Sequence, residues 1–223
     1  MATSEPVRLF TGYDRREAIG FHVFAHSVLE HASRPVSITP LDARGMPQGT
    51  NAFTYSRFLV PWLCGFKGHA IFADGADMLM QADIAELDAL FDPRYAVQVV
   101  QHPDYETRHP RKYVGTSMES DNRNYPRKNH ASLMLLNAEH EQWRSFTPDH
   151  VAGTAKSLGL LQLLGFSRGS LPNEWNRLVD EGQPVEDAKI LHWSSGIPGF
   201  DHYRDAPGAK LWWDARYSME VTA

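Results

Sequence analysis

The chain opens on a short apolar run, "VRLF", which stops at the loop "TGYD". The rhythm then changes. Ala18, Phe21, Ala25, Val28 and Ala32 follow one another at spacings of three and four, the stripe of a helix laid on a sheet. Asp14, with Glu17 three residues later, reads as a capping-box start for that helix. "RPVSITPLD" supplies a second strand. Strand, helix, strand with short joints is a βαβ unit, which implies a mostly parallel sheet with ligands at the carboxyl ends of its strands.

"ARGMPQGTNAFT" carries little pattern and leads into "YSRFLVPWLCGF", a helix expected to bend or end near Pro61. "HAIFADGAD" is a strand running into a turn. The spacing of Ile84, Leu87 and Phe91 makes "ADIAELDALF" helical with Asp83 as N-cap. "YAVQVVQ" and "SLMLLN" are further strands. Between them lies a polar stretch rich in Tyr, Pro and charge, too long for a mere connector and of the kind that is either a binding loop or disordered. Thr147 and Pro148 favour a helix over "TPDHVAGTAKSLGLLQLLGF". "AKILHWSSGIPGF" adds a strand and a Gly/Pro loop, and "GAKLWWDARYSM" a covering helix.

The length, 223 residues, fits one α/β domain over residues 1–223 and is enough to bury a real core. A net charge of -5, without a Lys/Arg block, argues against nucleic acid as a partner. The single cysteine, Cys64, excludes an internal disulfide framework and a thiolate metal cluster. "MATSEPVRLF" does not read as a secretory leader, and no apolar run reaches about 18 residues. The expected location is therefore cytoplasmic, with peripheral membrane contact left open.

In "IFADGAD", Asp74 and Asp77 flank a Gly-Ala pair at the end of a buried strand. An isolated carboxylate in an apolar setting is costly. Three roles stay open: a turn or cap residue, a carboxylate pair for acid/base work, and oxygen ligands for a hard divalent cation. Position at the carboxyl end of a sheet strand favours the cation. His192, after another strand, can supply a third ligand, and an imidazole beside carboxylates suits Mn²⁺ better than Mg²⁺.

"FTGYDRREAIGFHVFAHSVLEHASRPVSITPL", "FTYSRFLVPWL", "IFADGADMLMQADIAEL", "YPRKNHASLMLLN", "LPNEWNRLV" and "ILHWSSGIPGF" occur in an order that resembles a group of bacterial glycosyltransferases similar to glycosyltransferase family 8, with the GT-A fold. The resemblance spans about Val7 to Trp213. It implies a Rossmann-like GT-A domain, a nucleotide-sugar donor such as a UDP-hexose, a glycan or other hydroxyl acceptor, and Mn²⁺ (or Mg²⁺) bridging the diphosphate.

Carried over residue by residue, the metal ligands are Asp74, Asp77 and His192, with Asp74 and Asp77 central to catalysis. Aligned on "ADI", the second aspartate of the family's Asp-X-Asp signature falls on Asp77 and the first on Gly75, one place after Asp74. The resemblance further implies Thr11, Gly12 and Tyr13 at uracil and ribose, Arg57 near the donor, Lys128, Asn129 and Ser132 facing the donor sugar, and Trp175 and Asn176 in the sugar and acceptor pocket. The implied activity is hexosyl transfer, metal-dependent and with retained configuration. Nucleotide binding without turnover is the first rival, and a metal-dependent phosphohydrolase the second.

Overall fold

The computed structural model describes residues 5–42, 51–154 and 158–219. The opening is the expected βαβ unit: β1 (Val7–Tyr13), α1 (Ala18–His31) and β2 (Val36–Asp42), with the strands parallel and in register from Val7 opposite Val36 to Tyr13 opposite Asp42. Chain order continues with α2 (Val60–Leu63), β3 (His69–Ala73), β4 (Met78–Met80), α3 (Ile84–Asp88) and β5 (Val97–Val100). Then come the short ribbon β6 (Arg111–Lys112) and β7 (Ser120–Asp121), β8 (Leu133–Asn137), α4 (Pro148–Thr154), α5 (Leu158–Leu161), β9 (Arg168–Leu171), β10 (Arg177–Leu178), β11 (Ile190–His192) and α6 (Ala209–Ser218).

Among the described residues six strands form the central sheet in the order β2-β1-β3-β8-β5-β9. It is parallel except for β8, which runs antiparallel to both neighbours. That one reversal positions the site. Because β8 runs backward, its first residue Leu133 lies opposite Ala73, the last residue of β3. The segment entering β8 therefore meets the segment leaving β3, and the Asp74 amide donates to the Ser132 carbonyl at 2.8 Å.

A second sheet, β10-β11-β4, completes the arrangement. His192 of β11 pairs with Met78 of β4 on one side and Leu178 of β10 on the other. The residues just before β4 and β10 are Asp77 and Asn176, so this register brings both beside His192. The central strands are buried on both faces, as sheet cores covered by helices are. Phe72 and Met134 are each fully buried, each removal from water stabilising the fold by about 2 kcal/mol.

Helix α1 exists where the spacing placed it but is turned on its axis. It buries Gly20, Val23, Phe24, Ser27 and Val28, leaving Ala18, Phe21 and Ala25 at the margin. The cause is close approach. A Cβ at Gly20 would lie 2.1 Å from the Ala76 carbonyl oxygen, and the Ser27 hydroxyl accepts from the Met80 amide at 3.0 Å. Small and polar side chains, invisible to an apolar count, face the acidic turn.

The capping box is also corrected. Asp14 does cap, accepting from the Arg16 amide at 3.0 Å, but on a short 3-10 turn over Arg15–Glu17, and Glu17 is buried instead of reaching back. The helix expected here is a 3-10 turn, Ser56–Leu59, running into α2; Pro61 stands in the first turn of α2, which ends at Leu63, two residues beyond it. Asp83 caps α3 as expected, accepting from the Ala85 amide at 2.9 Å. The long helix expected from Thr147 appears as α4 and α5. Residues 155–157 lie outside the described residues, and the helix stops at Leu161 rather than running to Phe166 because Leu163 and Gly165 both turn left-handed, at φ 52° and 82°. Part of the pattern-poor stretch, residues 43–50, also lies outside the described residues.

Candidate active site

Gly75 and Ala76 form the bend between β3 and β4. The Ala76 amide donates back to the Asp74 carbonyl at 3.0 Å, and the Met78 amide to that of Gly75 at 2.9 Å. Gly75 has φ +82°, and a Cβ there would lie 1.9 Å from Thr11 Oγ1. Only glycine meets both demands. One ligand atom from each of Asp74, Asp77 and His192 lies within 4.8 Å of the other two.

Each acid has its own surroundings. Asp74 Oδ1 lies 2.7 Å from Arg57 Nη1, an ion pair not aligned as a hydrogen bond. Arg57 is itself buried; it donates to the carbonyls of Thr54 at 2.8 Å and Ala131 at 2.6 Å, and stacks near the rings of Phe53 and Phe72. Burial pushes the Asp74 carboxyl up to about 6 in spite of the guanidinium. Burial acts upward on Asp77 too, but His192, and more weakly Lys112, hold it below the usual carboxylate value. His192 Nε2 is 3.4 Å from Asp77 Oδ2. Burial opposes a charged imidazole, and the two acids outweigh it, so the His192 value is raised.

Behind His192 runs a line of buried groups. Its Nδ1 meets Asn176 Oδ1 at 2.8 Å, Asn176 Nδ2 meets Ser132 Oγ at 2.9 Å, and Ser132 Oγ meets the Asn129 carbonyl at 2.7 Å. Opposite lies Glu17, 1 % exposed, whose Oε1 accepts from Asn51 at 2.9 Å and whose Oε2 has no partner. Burial, then the charges of Asp77, Asp14 and Asp74, raise its carboxyl well above the usual value. The Tyr113 hydroxyl donates to Asn51 Oδ1 at 3.1 Å.

Several of these groups line a polar cleft with a cavity volume of about 120 Å³. Of the residues expected at the site, Arg57, Asp74, Asp77, Asn129, Ser132 and His192 line it together. The others lie elsewhere. Thr11 is wholly buried under the acidic turn, and Gly12 lies against Phe53, whose ring would be 2.3 Å from a Cβ. Tyr13 sits edge-on to Phe21 at 5.3 Å. Lys128 is buried, donating to Asn122 Oδ1 at 2.7 Å beside the Tyr105 ring. Trp175 belongs to the core, 1 % exposed, with the Lys189 ammonium 4.8 Å above its ring. Asn176 reaches the cleft through His192 and Ser132.

The cleft also holds Asn51, Thr54, Lys112, Tyr113 and Tyr125, which sequence reasoning did not name singly. Three of them come from the long Tyr/Pro/charge stretch, whose composition was the only signal. The Tyr113 amide donates to the Ser195 carbonyl at 2.8 Å, which ties that stretch over the end of β11.

No protein-family model matches the sequence. Among solved structures, the glycosyltransferase GlyE of Streptococcus pneumoniae TIGR4 superposes with a TM-score of 0.65 at 14% identity, over 96% of this chain and 60% of that one. The bifunctional glycosyltransferase WbbM gives 0.62 at 13%, over 97% of this chain and 50% of that one, and the galactosyltransferase LgtC 0.60 at 13%, over 97% and 98%. The chain thus spans half to three-fifths of the WbbM and GlyE chains, and the fold is that of GT-A glycosyltransferases. In sequence, Protein CDI of Arabidopsis thaliana is 37% identical over 227 residues, covering 93% of this chain and 85% of that protein. The chain therefore belongs to the family of Protein CDI.

Proposed function

We propose that this protein transfers a hexosyl group from a nucleotide sugar of the UDP class to a hydroxyl acceptor, in a divalent-metal-dependent reaction that retains configuration. The observation that carries the proposal is the convergence of Asp74, Asp77 and His192 at the mouth of a GT-A sheet. The assignment to glycosyltransferase family 8 rests on the ordered sequence blocks. LgtC, of the same fold, is a galactosyltransferase solved with donor and acceptor sugar analogues.

The donor set fits a divalent cation. Two carboxylates and an imidazole suit Mn²⁺ in particular, and Asp77 Oδ1 is buried without a hydrogen-bond donor. When bound, the cation offsets charge gathering on the departing diphosphate.

The chain's own residues do the rest. Arg57 holds Asp74 in place and keeps a buried positive charge at the edge of the cleft. Lys112, whose charge reaches both Asp74 and Asp77, is placed to meet a phosphate as a point charge. Asn129 and Ser132 line the side assigned to the donor sugar, and the Tyr113–Asn51 pair lines the opposite side. The end of β1, with Tyr13, is the proposed entry for uracil and ribose.

Nucleotide binding without turnover is the second reading. The Arg57–Asp74 ion pair favours it, because a guanidinium already occupies one ligand oxygen. A panel of nucleotide sugars with Mn²⁺, read by thermal shift and by release of free nucleotide, separates the two. Transfer requires one donor that both raises the melting temperature and yields free nucleotide faster with an acceptor mixture present. A shift with no release supports binding alone, and no shift with any donor overturns both.

A further inference from the structure

We infer that Asn176 and Ser132 are positioning residues: they decide which nitrogen of His192 carries the proton, and so keep Nε2 a free lone pair aimed at the acidic turn. Its use depends on the metal reading above, but the geometry does not.

The inference follows from counting protons along the line of groups behind His192. Ser132 Oγ lies 2.7 Å from the Asn129 carbonyl oxygen. A carbonyl can only accept, so the one hydroxyl proton of Ser132 is committed there. Asn176 lies 2.9 Å from the same Oγ. With that proton spent, Oγ can only accept, so the Asn176 group facing it is the amide NH₂. The carbonyl end of the amide must then face His192 Nδ1, at 2.8 Å. An amide oxygen accepts, so Nδ1 carries the hydrogen and the neutral ring leaves Nε2 unprotonated, 3.4 Å from Asp77 Oδ2.

The opposite orientation of the Asn176 amide fails. It would set two oxygens together at Ser132 with no proton between them, and its NH₂ against Nδ1 would force the ring hydrogen onto Nε2. That hydrogen would lie between the ring and Asp77 and leave no ligand lone pair. Ser132 is 2 %, Asn176 0 % and His192 1 % exposed, so solvent cannot supply substitute partners. The starting point of the chain is backbone: Asn129 stands at φ 64°, and its carbonyl also accepts from the Ser132 amide at 3.3 Å, closing the short turn before β8. Outer partners of this sort fix tautomer and ring orientation in metal sites.

Two measurements on the full chain test the inference. The first is long-range ¹H–¹⁵N correlation of the histidine rings in metal-free protein at alkaline pH, where the imidazoles are neutral, with His192 assigned by its loss in His192→Gln. The expected signal has a protonated Nδ1 and a bare Nε2; a protonated Nε2 overturns the inference. The second is calorimetric titration with Mn²⁺. Asn176→Leu is expected to weaken binding by about 10- to 100-fold and, in the ring spectrum, to move the His192 proton toward Nε2. A merely structural asparagine would leave the tautomer where it is, and equal Mn²⁺ affinity for wild type and Asn176→Leu counts against the inference. If Asn176→Leu does not fold, the ring spectrum of wild type decides. If wild type binds no Mn²⁺ yet shows the Nδ1–H tautomer, the relay stands and the metal reading falls.

Discussion

The two walls of the cleft solve the problem of buried polarity in opposite ways. On the wall built from β8, β10 and β11, the line His192–Asn176–Ser132–Asn129 pairs each donor with an acceptor. On the wall built from β1, the start of α1 and the acidic turn, acceptors outnumber donors. Thr11 Oγ1, Glu17 Oε2 and Asp77 Oδ1 are buried without hydrogen-bond partners. A buried acceptor without a donor costs about 1–3 kcal/mol. A cation held by Asp74, Asp77 and His192 would give Asp77 Oδ1 a partner. The braced wall holds a ligand rigid, and the acceptor-rich wall attracts charge.

The largest expected effect comes from removing a ligand of the acceptor-rich wall. Asp77→Ala is expected to abolish metal-dependent UDP binding, a loss of at least ~100-fold and beyond what an outer partner accounts for. The fold should survive, because the backbone bond from the Trp193 amide to the Asp77 carbonyl remains. Calorimetry with UDP and Mn²⁺ measures this, with circular dichroism as the control. Unchanged affinity would remove the contrast between the walls.

Next in size is the guanidinium paired with Asp74. Arg57→Met keeps the stem against Phe53 and Phe72 but strands the Thr54 and Ala131 carbonyls and leaves Asp74 without a counter-charge. Breaking a buried pair in this way costs about 3 kcal/mol. Urea unfolding of metal-free protein reads that loss. A cost below about 1 kcal/mol would mean that Arg57 serves the ligand and not the fold.

How much of this was legible in the chain depends on the kind of signal. Elements that bury long apolar side chains announced themselves: β1, β2, β3, β5, β8 and α6 fall where the apolar runs placed them. Strands β9 and β10 went unread because "RGSL" and "RL" are strands only through their neighbours, β5 and β11. The face of α1 was misjudged since Gly20 and Ser27 pack by being small or by hydrogen bonding. In the site, Asp74, Asp77 and His192 were visible as strand-end chemistry. Glu17 was not, because Asp-x-x-Glu before an apolar stripe looks like a cap whether the glutamate faces solvent or core. Lys112 and Tyr113 were hidden in a loop whose composition suggests binding but singles out no residue.

A smaller effect distinguishes the walls by pH. Asp74 has its value raised to about 6 by burial. Divalent cations need the carboxylate, so metal affinity should fall roughly tenfold per pH unit as pH drops below that value. Stability runs the other way. For an acid whose folded value is raised, the contribution is complete below the unfolded value near 3.9 and is lost as pH climbs through about 6. Relative to Asp74→Asn, metal-free wild type should therefore weaken by about 2 kcal/mol between pH 4 and pH 7; a side chain that keeps 15% exposure does not incur the full shift. Paired denaturation curves at the two pH values test this, and parallel trends for the two proteins would show that Asp74 has an ordinary carboxyl.

The smallest change tests whether the acceptor-rich wall is acidic by charge or only by composition. Glu17 is raised well above its usual value by burial and by Asp77, Asp14 and Asp74, so in metal-free protein it is held as the neutral acid or ionises at a cost. Glu17→Gln keeps an oxygen for the Asn51 amide and replaces the unpartnered Oε2 by NH₂, a donor in a place short of donors. Near neutral pH it should stabilise metal-free protein by about 1 kcal/mol and change Mn²⁺ affinity little. The gain must vanish below about pH 4, where glutamate is protonated in the unfolded chain as well. Melting curves at pH 4 and pH 7.5 measure the difference directly. Destabilisation of equal size at both values would mean that the carboxyl hydrogen-bonds as well as any amide could, and the two walls would then differ in residue type alone.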